Sequence, residues 1–377
     1  MTFLLESQLL RIRKHLRGRR ARAMRRRAMT TDFSPGARSR LLLVTQSERL
    51  PQSQIYPFHH YASDLARLYG TELREADLGD FLAGRPVAAK GATALAFQTP
   101  FDVSDADLAR LFDRIGADHP GARVACLDWF APTDLRNAAR MDGSVQVYIK
   151  KHVLRDRAVY GRPTLGDTNL SDHYARRLNL PEPEVRFPIP SGFLDKLVVG
   201  PSFVTAPTIL PVLLKGRPSF RRRDIDLHAR FDVNGTPWYR AMRAEADAAA
   251  AALTGVTVLR GAGVPIARFL TELCHSKVCF SPFGYGEVCW RDFEAVMSGA
   301  VLLKPDMGHI ETDPDIFLPW ETYVPLAWDL SDLPEKLRRL LDDAPLRERI
   351  ATRAFDRLRD WVASDRFARK LSPLLAT

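Results

Sequence analysis

Short apolar runs separated by helical-period segments organise most of the chain. Residues 41–44 (Leu-Leu-Leu-Val), 93–97, 123–127 and 145–149 are four such runs, each of strand length. Between them, residues 60–69 have helical character, and Ser104-Asp105 opens a helix with Leu108, Leu111, Phe112 and Ile115 on one face. The alternation restarts after residue 215. Residues 226–231, 256–259, 277–281 and 300–304 predict strands, and 239–253, 266–274, 288–298, 333–341 and 345–361 predict helices.

Buried strands alternating with helices predict parallel sheets, so the fold expected is α/β with two Rossmann-like domains facing a cleft. The divisions are an arm at 1–39, a first domain at 40–215, a second at 216–345 and a helical stretch at 346–377. Residues 197–214 form a long uncharged run, but Pro201, Pro207 and Pro211 interrupt it. That spacing excludes a membrane-spanning helix and predicts an extended connector.

Charge changes the picture at one place only. The net charge of +10 is concentrated in residues 1–30, which hold ten Lys/Arg and one acid; the other 347 residues hold 45 basic and 44 acidic groups. Leu5, Leu9, Ile12 and Leu16 recur at helical spacing within that basic stretch. A basic amphipathic arm of this kind suits an anionic membrane surface, the alternative being a solvated arm. A nucleic-acid partner is not expected, since the body carries no basic binding motif. The start lacks a secretory leader pattern, so a cytoplasmic location is expected, peripheral on the inner face of the membrane if the arm docks there. The four cysteines lack Cys-x-x-Cys spacing, which argues against a zinc site and a disulfide scaffold. Asp224-Ile-Asp226 is one of several Asp-x-Asp triplets and is not read as a metal site.

The chemistry concentrates in Ser281-Pro-Phe-Gly284-Tyr285-Gly286-Glu287-Val-Cys-Trp290-Arg291-Asp-Phe293-Glu294. If the helix spans 288–298, Glu287, Arg291, Glu294 and Ser298 share one stripe, beside an apolar stripe of Trp290, Phe293 and Met297. Gly284 and Gly286 let backbone N–H groups approach an anion at the helix N-terminus. Arg forks onto phosphate oxygens and carboxylates accept from sugar hydroxyls, so the stripe suits a nucleotide-sugar. Lys304, Asp306 and His309 follow the next strand at its carboxyl end. Arg221, Arg222, Arg223, His228 and Arg230 enter the first strand of the second half, where one of them is a candidate to meet a diphosphate, the stronger reading for any single one being an ordinary surface charge.

The pattern Gly-x-Gly-Glu…Arg-x-Phe-Glu-Ala-x-x-x-Gly before an apolar strand resembles the donor-binding signature of GT-B glycosyltransferases. It is closest to the bacterial glycosyl transferase family 1 and exostosin-like proteins, over residues 275–345, including Tyr323 and the Asp329-Leu-Ser-Asp-Leu run. The resemblance implies a GT-B fold with an acceptor domain at 40–215, a donor domain at 216–345 and a last helix packing back on the first domain. It implies sugar transfer from a nucleotide-sugar to a glycan or lipid-linked acceptor, in bacterial surface polysaccharide or glycolipid synthesis, without a metal or further cofactor. Glu294 then matches the ribose-binding carboxylate, with Arg291 and the Gly284-Tyr285-Gly286 turn near the diphosphate or sugar. Glu287 and Glu294 are seven apart, where the large retaining families space them eight apart, so the role of Glu287 and the stereochemical outcome stay open. An inverting reaction needs a base from the first domain; Asp128, at the end of the 123–127 run, is the first candidate and His60 the second. A nucleotide-sugar epimerase or hydrolase on the same fold, or a non-catalytic membrane-docked binding protein, are the alternative readings.

Overall fold

The computed structural model describes residues 23, 25–220 and 223–376. Its strands in chain order are β1 (Ser39–Thr45), β2 (Thr71–Asp77), β3 (Ala94–Phe97), β4 (Arg123–Asp128), β5 (Val147–Lys150), β6 (His152–Leu154), β7 (Thr164–Leu165), β8 (Glu184–Val185) and β9 (Leu197–Val199), then β10 (Ile225–Ala229), β11 (Val258–Arg260), β12 (Ser276–Phe280), β13 (Val301–Pro305), β14 (Ile310–Thr312) and β15 (Val324–Leu326). One parallel sheet runs β2-β1-β3-β4-β5-β9 and a second runs β11-β10-β12-β13-β15.

The apolar runs become strands because both faces are covered. Leu41 to Val44 have no exposed surface. Leu41 and Leu43 pack with Ile55 and Phe58 of the helix Arg49–His60, while Leu42 and Val44 pack with Leu108, Leu111 and Ile115 of the helix Asp105–Asp118. Burial of that kind contributes about 1.5–3 kcal/mol per leucine. The Asp105–Asp118 helix opens on Ser104, whose hydroxyl accepts from Asp107 N.

Three features differ from the sequence reading. The edge strand β2 is Thr-Glu-Leu-Arg-Glu-Ala-Asp, only partly buried, so no apolar run announced it. Residues 197–214 are not an extended connector. They supply β9 and a helical turn at Leu210–Leu213, with Phe203, Val204, Ala206 and Ile209 buried in a core shared by the two domains. The critical helix of the second domain is Trp290–Ser298, beginning two residues later than expected. Asp292 accepts from Cys289 N at 2.8 Å, which caps the helix and leaves Glu287 in the preceding loop. Glu287 and Glu294 therefore do not share a helical stripe.

The domains meet in two ways. Strands β6 and β14, one from each domain, form an antiparallel pair, with Leu154 opposite Ile310 and His152 opposite Thr312. The chain also returns to the first domain after the helix Ala344–Ala363. Tyr61 Oη donates to Val362 O (3.0 Å), Tyr69 Oη to Ala368 O (3.2 Å), and Arg123 Nη1 to Ala376 O (3.0 Å).

At the other end, residues 25–30 are helical and Arg25 reaches the buried Glu75, Nη2 to Oε1 at 2.6 Å. The Leu5–Leu9–Ile12–Leu16 pattern, and Arg221 and Arg222, lie outside the described residues. Among the described residues no helix is long and apolar enough to cross a membrane.

Candidate active site

In open parallel sheets, ligands lie beyond the strand carboxyl ends where the strand order reverses. In the second sheet that point lies between β10 and β12, flanked by residues 230–236 and 281–289. Arg291 stands beside it on the first turn of the helix Trp290–Ser298, its guanidinium 5.7 Å from the Phe231 ring. Its Nε and Nη1 are buried and have no hydrogen-bond partner among the described residues. His228, near the end of β10, has no exposed surface, and both ring nitrogens lack a hydrogen bond, with Glu272 Oε2 at 3.6 Å from Nε2 and the Phe269 ring at 4.8 Å. Burial, and then the nearby Arg291 charge, push His228 down to about 4. Glu294, one turn further along, is 6% exposed and accepts no hydrogen bond among the described residues. Burial pushes its carboxyl up, against the opposing pull of Arg291 and Arg49. A buried arginine and histidine left unsatisfied beside a carboxylate that no protein donor meets are what a polar ligand would complete.

Glu287 is occupied differently. Fully buried, it takes Asn169 Nδ2 (2.7 Å) and His309 Nε2 (3.1 Å) on Oε1 and His152 Nε2 (3.2 Å) on Oε2. Burial opposes its ionisation, yet the hydrogen bonds from His152 and His309 outweigh it and hold the carboxyl below the ordinary range. Thr133 Oγ1 in turn donates to Asn169 Oδ1 (2.5 Å). Asn169 and His152 come from the first domain, so this carboxylate closes the domain boundary.

The neighbouring glycines have an interdomain role as well. A Cβ on Gly286 would lie 1.7 Å from Ala131 O of the first domain, so the side of this turn expected to approach an anion is covered by protein backbone. Gly284 N donates to Gly286 O, closing the turn. Tyr285 is exposed, stacks on Tyr239 at 4.3 Å, and accepts from Thr236 N.

Several expected site residues are engaged elsewhere. Lys304 has no exposed surface and pairs with the buried Asp292 at 3.2 Å. Arg230 is forked onto Glu272, at 2.6 and 3.1 Å, so its charge is already met. Asp306 accepts from Gly308 N and Tyr323 Oη and shapes its own loop. Asp128 is not available as a base: it is 2% exposed, paired with Lys150 at 2.7 Å and bonded by Tyr148 Oη at 2.7 Å. His60 ends its helix beside the returning C-terminal segment, against Tyr61 and the backbone of Val362, away from the strand carboxyl ends. Asp224 and Asp226 are taken up by His275 and Lys277.

Other residues enter that sequence reasoning passed over. Gln54 donates to the carbonyls of Asp128 and Ile149 and so ties the helix Arg49–His60 across β4 and β5. Arg243 Nε donates to Phe283 O (2.7 Å), fixing the loop before the Gly284 turn. Lys151 and His152 follow β5 directly. The available signal was Lys150-Lys151-His152 closing an apolar strand, because polar residues there face the ligand end of the sheet.

The chain thus carries two parallel sheets, tied together by the β6–β14 pair, with Arg291 and His228 beside the switch point of the second. Residues 217–372 match a family model described as glycosyl transferase-like, which places that family's domain on the second sheet and the returning helices. No curated protein matches the chain. Solved structures similar to it include TarM, 12% identical with a TM-score of 0.44, the match covering 75% of this chain and 55% of that one. An alpha-glucosyltransferase in complex with UDP-glucose and DNA containing an abasic site is 9% identical with a TM-score of 0.48, covering 88% and 97%. A glycosyltransferase from Rickettsia africae is 9% identical with a TM-score of 0.47, covering 90% and 100%. The chain thus spans about half the length of TarM.

Proposed function

We propose that the chain transfers a sugar from a nucleoside-diphosphate sugar to an acceptor hydroxyl. The observation that carries this reading is the unsatisfied pair of Arg291 and His228, with the largely buried Glu294 beside them, at the carboxyl ends of the second sheet, inside the glycosyl transferase-like segment. Glu294 accepts from the ribose hydroxyls, while Arg291 and the N–H groups of the first helical turn face the diphosphate. Such a site works by positioning the donor and stabilising the departing anion. Calorimetry with UDP, GDP, CDP and dTDP on wild type and Glu294→Ala tests this. A ligand at 100 times its Kd adds about 2.7 kcal/mol of stability, readily seen in a melt. One nucleotide should bind wild type and be lost by the variant; binding of none, or unchanged binding by the variant, refutes the reading.

The acceptor we propose is a glycan or lipid-linked saccharide of a bacterial surface polymer, approached from the cytoplasmic face of the membrane. The support is the basic, amphipathic pattern of residues 1–30, whose tail end is fixed to the first domain by Arg25 on Glu75. Removing residues 1–22 should release the protein from vesicles containing anionic lipid; equal retention of both forms would count against membrane docking.

A further inference from the structure

Lys151, like Arg291, is a buried cation that no hydrogen-bond acceptor meets among the described residues. The side chain is 3% exposed, and among the described residues its ammonium has neither a hydrogen bond nor a carboxylate partner. Lys150, its neighbour, is also buried, but its charge is met by Asp128. β5 ends at Lys150, which turns to Asp128, while Lys151 beyond the strand turns to Phe203, so Asp128 pairs with only one of them. An uncompensated buried ammonium is unfavourable unless a ligand supplies the anion.

The surroundings say where that anion would lie. Lys151 Nζ rests 5.0 Å from the centre of the Phe203 ring, and Phe203 stacks at 4.2 Å on Trp290. Trp290 is the first residue of the second domain's helix Trp290–Ser298, and Cys289, its N-cap, is close enough to bear on the lysine's charge. The first domain thus places an ammonium at the helix end where free N–H groups favour an anion. Arg291, with two unsatisfied nitrogens, stands on that same turn, and Arg49 covers the Trp290 ring at 4.6 Å.

We propose that Lys151 is a diphosphate-binding cation contributed by the first domain, which neutralises the leaving group as the sugar departs. This rests on the glycosyltransferase reading above. In the transfer, the bond between the anomeric carbon and the β-phosphate oxygen breaks and its electron pair stays on that oxygen. The acceptor oxygen bonds the anomeric carbon and its proton passes to solvent. The diphosphate gains one negative charge in this step, and an ammonium facing it favours the transition state over the bound donor. Because the cation and the helix belong to different domains, the anion site is complete only when the two are held together.

Burial, reinforced by Lys150 and opposed by Asp128 and Cys289, brings Lys151 down to about 8. Lys150, Asp128, Cys289 and His152, whose imidazole feels the lysine's charge, are the charged or titratable groups around it. The test uses full-length protein and whichever of UDP, GDP, CDP or dTDP binds wild type, together with the matching monophosphate. Lys151→Met should lose at least tenfold in diphosphate affinity while monophosphate affinity stays within twofold. Lys151→Arg should keep the diphosphate preference at pH 9.5, where wild type loses it, and this comparison decides the matter if Lys151→Met does not fold. An unchanged preference in Lys151→Met, equal loss of both ligands, or identical pH profiles for wild type and Lys151→Arg would overturn the assignment. Failure of wild type to bind any diphosphate would overturn the parent reading and this one with it.

Discussion

His152 of the first domain and Glu287 of the second meet across the domain boundary, Nε2 to Oε2 at 3.2 Å, with neither side chain exposed. The carboxylate also holds Asn169 and His309, so one acidic side chain gathers partners from both domains.

Glu287→Ala strands His152 and Asn169 without an acceptor. Removing one partner of a buried charged pair typically destabilises by about 3–5 kcal/mol, and urea unfolding at pH 7 should show a loss of that order. The folded-state pKa of Glu287 is lowered from 4.5, so its contribution is fully present above that value and disappears as pH falls below it. The gap between wild type and variant should narrow on acidification; a constant gap down to pH 3 would contradict the arrangement.

His228 should produce a second, milder acid limb. Its folded pKa is depressed to about 4 from 6.5, so between those values the unfolded chain binds more protons. Stability is full above pH 6.5 and declines toward pH 4. His228→Asn should flatten that limb in denaturant titrations, and a nucleoside diphosphate bound beside His228, by raising the imidazole's proton affinity in the complex, should shrink the limb and end it at higher pH.

Asp128→Asn should behave as a stability variant. It leaves the Lys150 ammonium buried without its counter-charge, and the melting temperature should drop by several degrees. Turnover per folded molecule, measured at a temperature where the variant is folded, should remain within a few fold of wild type. A loss above a hundredfold with unchanged melting would restore Asp128 as a base.

Gly286→Ala tests how tightly the domains are apposed. The added methyl would overlap the Ala131 carbonyl, so the boundary must part. Small-angle scattering should report a larger radius of gyration, while far-ultraviolet circular dichroism stays that of wild type.

Much of this was legible in the chain. The run Leu41–Val44 and the helix opened by Ser104 stand out because burial on both sheet faces and N-capping depend on nearby residues. Arg291 and Glu294 stand out in the sequence because their spacing is local to one helix. Glu287 was placed on the wrong element because its environment is set by His152 and Asn169, more than a hundred residues away, and because the Asp292 cap moves the helix start. Asp128 looked like a base at a strand end; the neighbour that silences it, Lys150, belongs to the adjacent strand, and only register brings the two together. Glu75 illustrates the same limit, since its partners Arg25, Thr45 and His59 converge from three separate segments.

The pairing of β6 with β14 constrains how the molecule can breathe. Two domains joined only by flexible links could separate in any direction, but a backbone ladder from His152 to Leu154 fixes one margin of the cleft. Any parting of the domains would pivot most readily about that margin, as pages turn about a spine, and Lys151, which adjoins it, would be displaced least.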